Sequence, residues 1–289
     1  MTHIESNSPV SLVYCGNSGV FDGLMISLLS ICRHTSRPLH VHVLTMDLTR
    51  VSDRFTPLDA ARADFLRQML QSRNEDSRLM LYDLSDEFWS VMCDSPNMNT
   101  SYTPYTLLRL FCDLLPLPDR VLYLDTDTVA AGDIGPLFDW DMQGCDYAAV
   151  RDYLGGKFIG PSYVNAGVLL FDLPRIRKSG LLEKARRFCA EKKTCFPDQD
   201  AINRLGKDKC MLPRSFNEQY KMQPDTVIRH FSKTIRWFPV FHTLNIKPWN
   251  IDELHRVYGT YEFDDVLAEY SELKKRFELV GASQRGDGQ

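Results

Sequence analysis

The chain has 289 residues, of which 44% are hydrophobic and 25% charged, enough for one large folded domain. Lysine and arginine number 34 against 38 aspartates and glutamates, so the net charge of -4 argues against a protein that coats nucleic acid. No run of about 18 apolar residues is present to span a bilayer, and the polar N-terminal segment lacks the pattern of a secretory signal. We therefore expect a cytoplasmic protein with no transmembrane segment.

The first half of the chain alternates strand-length apolar runs with amphipathic helices. Hydrophobic periodicity predicts strands at residues 10–15, 39–46, 79–82 and 121–124, and helices at 21–34, 57–71 and 104–115. Because parallel strands are joined by helical crossovers, this alternation predicts a parallel sheet flanked by helices.

The second half has a less regular pattern. It predicts strands at residues 147–150, 164–171 and 226–231, and helices at about 180–192, 199–205 and 263–279. The polar, glycine-rich residues 281–289 predict a disordered tail. We predict one α/β domain over residues 1–280, built on a Rossmann-like, mixed but mainly parallel sheet with a C-terminal elaboration.

The eight cysteines are scattered along the chain. They form no Cys-x-x-Cys pair, and most lie in apolar or helical stretches. This usage favours reduced, buried thiols over a disulfide framework or a zinc ribbon.

The strongest local feature is an acidic pair that follows the predicted strand 121–124. Asp125 and Asp127 come where a buried strand leaves the sheet at its carboxyl end, which is where open α/β sheets bind ligands. Residues two apart in an extended chain point to the same side, so the carboxylates would repel each other unless a divalent cation bound them. The Asp-x-Asp pattern recurs at 139–141 and 198–200, so the strand placement is what singles out this pair.

Four ordered motifs resemble those of glycosyltransferase family 8, which includes glycogenin and the galactosyl- and glucosyltransferases that build bacterial lipopolysaccharide. The motifs are VLYLDTD at 121–127, YVNAGVLLFD at 163–172, PDQDAIN at 197–203, and His-Phe at 230–231 followed by Lys-Pro-Trp at 247–249. The match runs from about residue 10 to 250. The resemblance implies a GT-A fold, with a nucleotide-binding half at about 10–125 and a half for donor sugar and acceptor at 126–280. It also implies retaining, metal-dependent transfer of glucose or galactose from a nucleotide sugar, usually a UDP-sugar.

The resemblance further implies a metal centre. Asp125, Asp127 and His230 look like its protein ligands, and two carboxylates with one imidazole suit Mn²⁺, with Mg²⁺ as the alternative. Taken alone, His230 also fits a partly buried strand histidine. His242 could replace it, because it lies in a long insertion before Lys247, but we prefer His230 since it follows a strand-like segment.

Substrate contacts are also implied by the resemblance. Lys247 resembles the lysine that holds the diphosphate, and Asp198 and Gln199 match residues beside the anomeric carbon. Arg109 takes the place of an arginine that contacts sugar and phosphate, although a surface arginine on an apolar helix is the competing interpretation. The remaining expected contacts to the donor are Asn165 and Ala166 at the sugar and Asn17 at the nucleotide base or ribose.

Two other functions remain open at this stage. One is a sugar-phosphate nucleotidyltransferase, although such enzymes normally show a basic, glycine-rich N-terminal motif. The other is a carbohydrate-binding protein without catalytic activity. Expected partners are a nucleotide sugar and a glycan, lipid-linked or small-sugar acceptor. The basic residues 274–276 predict at most a weak peripheral contact with an anionic membrane, because nearby glutamates offset their charge.

Overall fold

A computed structural model describes the backbone of residues 8–98, 103–236 and 242–286, and the side chains of all of these except 235, 236, 242 and 281–286. The strands are β1 (Val10–Cys15), β2 (Leu39–Thr45), β3 (Arg78–Asp83), β4 (Arg120–Leu124), β5 (Thr128–Ala130), β6 (Tyr147–Arg151), β7 (Val164–Asp172), β8 (Lys209–Leu212), β9 (Ile228–His230), β10 (Thr234–Arg236) and β11 (His242–Leu244).

The α-helices surround the strands. They are α1 (Phe21–His34), α2 (Ala60–Gln71), α3 (Ser85–Met92), α4 (Gly135–Phe138), α5 (Gly155–Phe158), α6 (Leu173–Ser179), α7 (Leu181–Glu191), α8 (Pro197–Leu205), α9 (Ile251–Glu253) and α10 (Asp264–Gly286). Segments Ser18–Val20, Pro104–Leu114 and Arg214–Phe216 are 3₁₀ helices, and Leu254–Tyr258 is a π-helical turn.

Seven strands form the central sheet, in the order β3-β2-β1-β4-β7-β6-β8. Strands β1 to β4 are parallel to one another, β7 is antiparallel to both β4 and β6, and β8 is parallel to β6. This confirms the mixed, mainly parallel sheet. The carboxyl ends of β1, β4 and β6 and the amino end of β7 therefore meet at one edge, beside the point where the strand order reverses.

Both faces of the sheet are covered, which explains why β1 is buried along its whole length. Leu12 and Tyr14 belong to the apolar cluster that includes residues of α1, α2 and α10, whereas Val13 and Cys15 belong to the cluster that includes residues of α3, α7 and the 3₁₀ helix Pro104–Leu114. Each fully buried side chain of this size contributes about 1.5–3 kcal/mol. Three layers, helix, sheet and helix, thus hold the ligand-binding edge in place.

The predicted elements are confirmed to within three residues at each end, except at the C-terminal end of the last helix, and one of them differs in form. The helix predicted at 104–115 is wound as a 3₁₀ helix, in which Tyr105, Leu108 and Phe111 stack at three-residue spacing. The last helix continues to Gly286, so residues 281–286 are helical where a disordered tail is predicted. Helix extension is cooperative, and the packed part of α10 supplies the nucleus. The sequence does not predict the short strands β5 and β8 or the helix α3.

One prediction about the cysteines is wrong, because Cys145 and Cys210 form a disulfide. Parallel pairing of β6 with β8 places Ala148 opposite Cys210, and the Cα atoms of the two cysteines are 5.9 Å apart, within the span that a disulfide needs. Since β8 is not predicted, this proximity is invisible in the sequence. The other six cysteines are free thiols, and all eight lie in the described ranges.

None of the helices in the described ranges has the length and apolar character needed to cross a membrane. Two of the three basic residues at 274–276 are already paired within the protein. Lys274 donates to Asp22 Oδ2 at 2.8 Å, and Lys275 donates to Glu272 Oε1 at 2.9 Å.

Candidate active site

The acidic pair lies in a tight turn between β4 and β5. The amide of Asp125 donates to the carbonyl of Gly167 in β7 at 2.8 Å, and the amide and hydroxyl of Thr128 both donate back to the Asp125 carbonyl. The turn therefore ends the main sheet at β4 and starts the small β5–β9 ladder. Both carboxylates consequently face the same region at the sheet edge.

Strand β9 brings a histidine to this turn. In the β5–β9 ladder His230 is opposite Thr128, and the amide of Phe231 donates to the Asp127 carbonyl at 2.9 Å. The imidazole Nε2 of His230 is 3.2 Å from Asp127 Oδ1 and 3.6 Å from Asp125 Oδ2. All three residues offer a ligand atom within 4.8 Å of one another, as a divalent cation requires. The side chain of His242 lies outside the described residues.

Gly167 leaves room for two of these groups, the imidazole of His230 and the carboxylate of Asp125. A Cβ atom at this position would lie 2.7 Å from His230 Nδ1 and 2.9 Å from Asp125 Oδ2, closer than real side chains approach. The absence of a side chain at Gly167 is therefore what allows the imidazole and the first carboxylate to occupy their positions.

We expect Gly167→Ala to weaken Mn²⁺ binding at least ~10-fold and to destabilise the fold by about 1–3 kcal/mol, because the new methyl group overpacks the site. Mn²⁺ titration and urea unfolding measure the two effects. Gly132→Ala is the matched control, since its Cβ would be no closer than 3.6 Å to any neighbour. Equal Mn²⁺ affinity in the two variants would contradict this role.

Lys247 reaches the same cluster from the C-terminal part of the chain. Its ammonium group donates to Asp127 Oδ2 and, at 3.1 Å, to the Phe231 carbonyl. Burial raises the pKa of Asp127, but the positive charge of Lys247 outweighs this and holds that pKa below its usual value. Trp249 packs against Gly23 of α1, where a Cβ would lie 2.7 Å from the indole ring.

Arg109 is buried, with only 2% of its surface exposed, so the interpretation as a surface arginine is wrong. Its guanidinium group bridges two carboxylates, with Nη2 2.9 Å from Asp125 Oδ1 and Nε 3.1 Å from Asp198 Oδ2. It also donates to the Ala166 carbonyl and stacks over the Tyr123 ring at 4.3 Å. Burial raises the pKa of Asp198, and the charge of Arg109 opposes this rise.

The predicted sugar-binding residues meet around Gln199. Its Oε1 accepts from the Ala166 amide at 3.0 Å, and its Nε2 lies 3.3 Å from Asp152 Oδ2. The same oxygen of Asp152 accepts from Asn165 Nδ2 at 2.9 Å. The fold thus brings Asn165, Ala166, Asp198 and Gln199 together, beside the acidic pair.

A cavity of about 460 Å³ opens in front of these groups. Its polar lining includes Arg109, Asp125, Asp152, Asn165, Asp198 and Gln199. Its apolar lining includes Tyr153, Phe158, Ile159 and Phe196. An apolar wall with a few converging polar groups is typical of a small-molecule site.

Asn17 is not among the residues that line this cavity. Its Oδ1 accepts from the Gly19 amide in the local turn, and its Nδ2 donates to the Arg54 carbonyl of a distant segment, both at 3.2 Å. A contact between Asn17 and a nucleotide stays a prediction.

Two site residues escape the sequence analysis. Asp152 directly follows β6, so the rule that singles out Asp125 at the end of β4 would also have found it. Asn217 is fully buried beside His230, with its Oδ1 3.1 Å from His230 Nδ1. It lies in an irregular segment between a 3₁₀ helix and β9, where no periodic pattern marks it.

The chain is similar in sequence to known glycosyltransferases. The chain is 25% identical to glycosyltransferase GlyB of Streptococcus pneumoniae serotype 4, over 94% of this chain and 65% of GlyB. It is 26% identical to the lipopolysaccharide 1,2-glucosyltransferase of Escherichia coli K12, over 86% of this chain and 75% of that protein. The chain therefore corresponds to only part of the length of either relative.

Solved structures agree on the fold. The bifunctional glycosyltransferase WbbM superposes with a TM-score of 0.66 at 17% identity, over 96% of this chain and 53% of WbbM. The galactosyltransferase LgtC, in complex with donor and acceptor sugar analogues, superposes with a TM-score of 0.61 at 20% identity, over 90% of this chain and 96% of LgtC. These likenesses confirm the predicted GT-A fold.

The family model described as Glycosyl transferase family 8 matches residues 11–253, which is most of the chain and includes all four sequence motifs. The chain belongs to glycosyl transferase family 8.

Proposed function

We propose that this chain is a retaining, metal-dependent hexosyltransferase that takes glucose or galactose from a UDP-sugar. The observation that carries the proposal is the cluster of Asp125, Asp127 and His230, which offers three cation ligands within 4.8 Å of one another, beside a cavity lined by carboxylate, amide and guanidinium groups. Carboxylate and imidazole ligands fit Mn²⁺ or Mg²⁺, and the small Gly167 leaves room for the imidazole and for the Asp125 carboxylate.

A divalent cation held by this cluster supplies Lewis-acid stabilisation of the leaving diphosphate. Lys247 adds a positive charge at the same place, where it neutralises the oxygen that departs with UDP. Asn165, Asp152 and Asp198 offer acceptors and donors for sugar hydroxyls, and Arg109 keeps Asp125 and Asp198 in position. These side chains orient the anomeric carbon toward the open part of the cavity.

Retention of configuration is best explained by attack on the front face. Gln199 is a poor nucleophile, and Asp198 is buried and paired with Arg109, so neither is well suited to form a covalent intermediate. In the proposed step, the bond from the anomeric carbon to the phosphate oxygen breaks while the acceptor oxygen bonds from the same side. The acceptor proton passes to the departing phosphate oxygen.

The acceptor hydroxyl is proposed to enter past the apolar lining of the cavity. Phe158 and Ile159 are both exposed and belong to this lining. An acceptor glycan, whether free, small or lipid-linked, has apolar sugar faces that suit such a wall. This entry route leaves the metal cluster to the donor diphosphate.

A panel of nucleotide sugars, tested with Mn²⁺ and with chelator, checks the proposal. We expect one UDP-hexose to raise the melting temperature and to release UDP slowly by hydrolysis, and both effects to need the cation. Pyrophosphate release from a nucleoside triphosphate would instead indicate a nucleotidyltransferase. Stabilisation by sugars with no turnover of any donor would indicate a carbohydrate-binding protein.

A further inference from the structure

Asn217 is a buried amide that links the metal cluster to the sugar-binding strand. None of its surface is exposed. One end of the amide is 3.1 Å from His230 Nδ1, and the other end, Nδ2, is 3.0 Å from Asn165 Oδ1. The side chain therefore touches one expected cation ligand and one expected sugar contact at the same time.

Two neighbours fix the orientation of the Asn165 amide, because one can only donate a hydrogen bond and the other accepts one. The backbone amide of Gly167 can only donate, and Asn165 Oδ1 accepts from it at 2.9 Å. The carboxylate of Asp152 accepts from Asn165 Nδ2 at 2.9 Å. Exchanging the oxygen and nitrogen of Asn165 would break both contacts.

The orientation of the Asn165 amide determines the orientation of the Asn217 amide. The Asn217 amide in turn determines which ring nitrogen of His230 carries a proton. Since Asn165 Oδ1 is an acceptor, the Asn217 atom that faces it must be the donating nitrogen. The Asn217 oxygen therefore faces His230 Nδ1, which must carry a proton to complete the contact. The other ring nitrogen, Nε2, is then the atom directed at Asp127 Oδ1 and Asp125 Oδ2, at 3.2 and 3.6 Å.

We propose that Asn217 is a positioning residue of the metal centre, which holds the His230 ring and its Nδ1–H tautomer so that Nε2 is free to bind the cation. This inference rests on the proposed function, because it assumes that Asp125, Asp127 and His230 bind a metal. Partners of this kind fix the orientation of a ligating histidine, and their loss typically lowers metal affinity about 10–100-fold.

Titration of the metal-free protein with Mn²⁺, followed by the electron paramagnetic resonance signal of free Mn²⁺, tests the inference without any substrate. We expect Asn217→Ala to weaken Mn²⁺ binding about 10–100-fold. Asn217→Leu should weaken Mn²⁺ binding equally without leaving a cavity. If only one of these two variants folds, its Mn²⁺ affinity is enough to test the inference. Asn217→Asp keeps an acceptor opposite Nδ1 but loses the donor that faces Asn165 Oδ1, so it should bind Mn²⁺ more tightly than the alanine and leucine variants do.

The matched control is Asn97→Ala. Asn97 is also a buried asparagine, 1% exposed, but its amide donates to the carbonyls of Cys189 and Lys192, away from the metal cluster. It should lose stability and keep its Mn²⁺ affinity. If Asn217→Ala and Asn217→Leu bind Mn²⁺ as well as Asn97→Ala does, or if Asn217→Asp is as weak as they are, the inference is wrong.

His230→Ala separates this inference from the proposed function. If His230→Ala loses Mn²⁺ affinity while the alanine and leucine variants of Asn217 keep it, the metal centre stands and only the role of Asn217 fails. If His230→Ala binds Mn²⁺ like the unchanged protein, the metal centre itself is misassigned, and both proposals fall.

Discussion

Replacement of Asp127 by asparagine is expected to lower Mn²⁺-dependent sugar transfer by roughly 1,000-fold. The variant keeps the shape of the side chain but removes the negative charge that faces both His230 Nε2 and Lys247 Nζ. Without that charge the cation is bound less tightly, so the leaving diphosphate loses the stabilisation that the cation supplies. Initial rates at saturating UDP-sugar, with and without added Mn²⁺, measure the effect.

The chain contains its own control for this experiment. Asp139 and Asp141 form a second Asp-x-Asp sequence, in which Asp139 pairs with Arg37 and Asp141 accepts from the Gln143 amide. The double variant Asp139→Asn, Asp141→Asn should transfer sugar at close to the rate of the unchanged protein. Undiminished turnover in Asp127→Asn, at any Mn²⁺ concentration, would rule out the proposed metal centre.

The acidic pair could be predicted from the sequence because it depends on local features. A buried strand followed at once by two aspartates places them at a ligand-binding sheet edge, whatever the rest of the chain does. The choice of His230 needed the family resemblance. It comes to the turn through pairing of β5 with β9, two three-residue strands that are separated by about a hundred residues and too short to leave a periodic pattern.

The parts that the sequence did not predict depend on contacts between distant segments. The resemblance implies a donor contact for Arg109, but only the fold shows that this side chain is enclosed between Asp125 and Asp198. The disulfide between Cys145 and Cys210 requires β8 to lie beside β6. Asn217 belongs to the site because its amide forms hydrogen bonds with Asn165 and His230. No spacing in the sequence predicts these contacts.

Replacement of Arg109 by methionine is expected to destabilise the fold by about 3–5 kcal/mol, because it leaves two carboxylates near each other without the charge that compensates them. Asp198 is buried and Asp125 is half-buried, and Arg109 is within 3.1 Å of both. Urea unfolding of the metal-free protein at about pH 7 measures the loss. The free energy of unfolding of Arg109→Lys should lie between those of the unchanged protein and of Arg109→Met. An ammonium group keeps the charge but lacks the geometry to bridge both acids.

The pH dependence of that loss identifies its cause. Arg109 opposes the rise that burial imposes on the pKa of Asp198, so in Arg109→Met this pKa should rise further. A raised pKa lets the acid take up a proton as the pH falls, which removes the uncompensated charge. The deficit should therefore shrink as the pH falls from neutral toward the ordinary pKa of an aspartate, whereas a simple packing defect would not change with pH. Arg187→Met is the matched control. Arg187 pairs with Glu183 on the surface, and 68% of the Arg187 side chain is exposed. Exposed ion pairs of this kind contribute about 0.2–1 kcal/mol to the stability of a fold. If Arg109→Met were no less stable than Arg187→Met, or its deficit stayed constant with pH, Arg109 would not be the charge that holds Asp125 and Asp198 together.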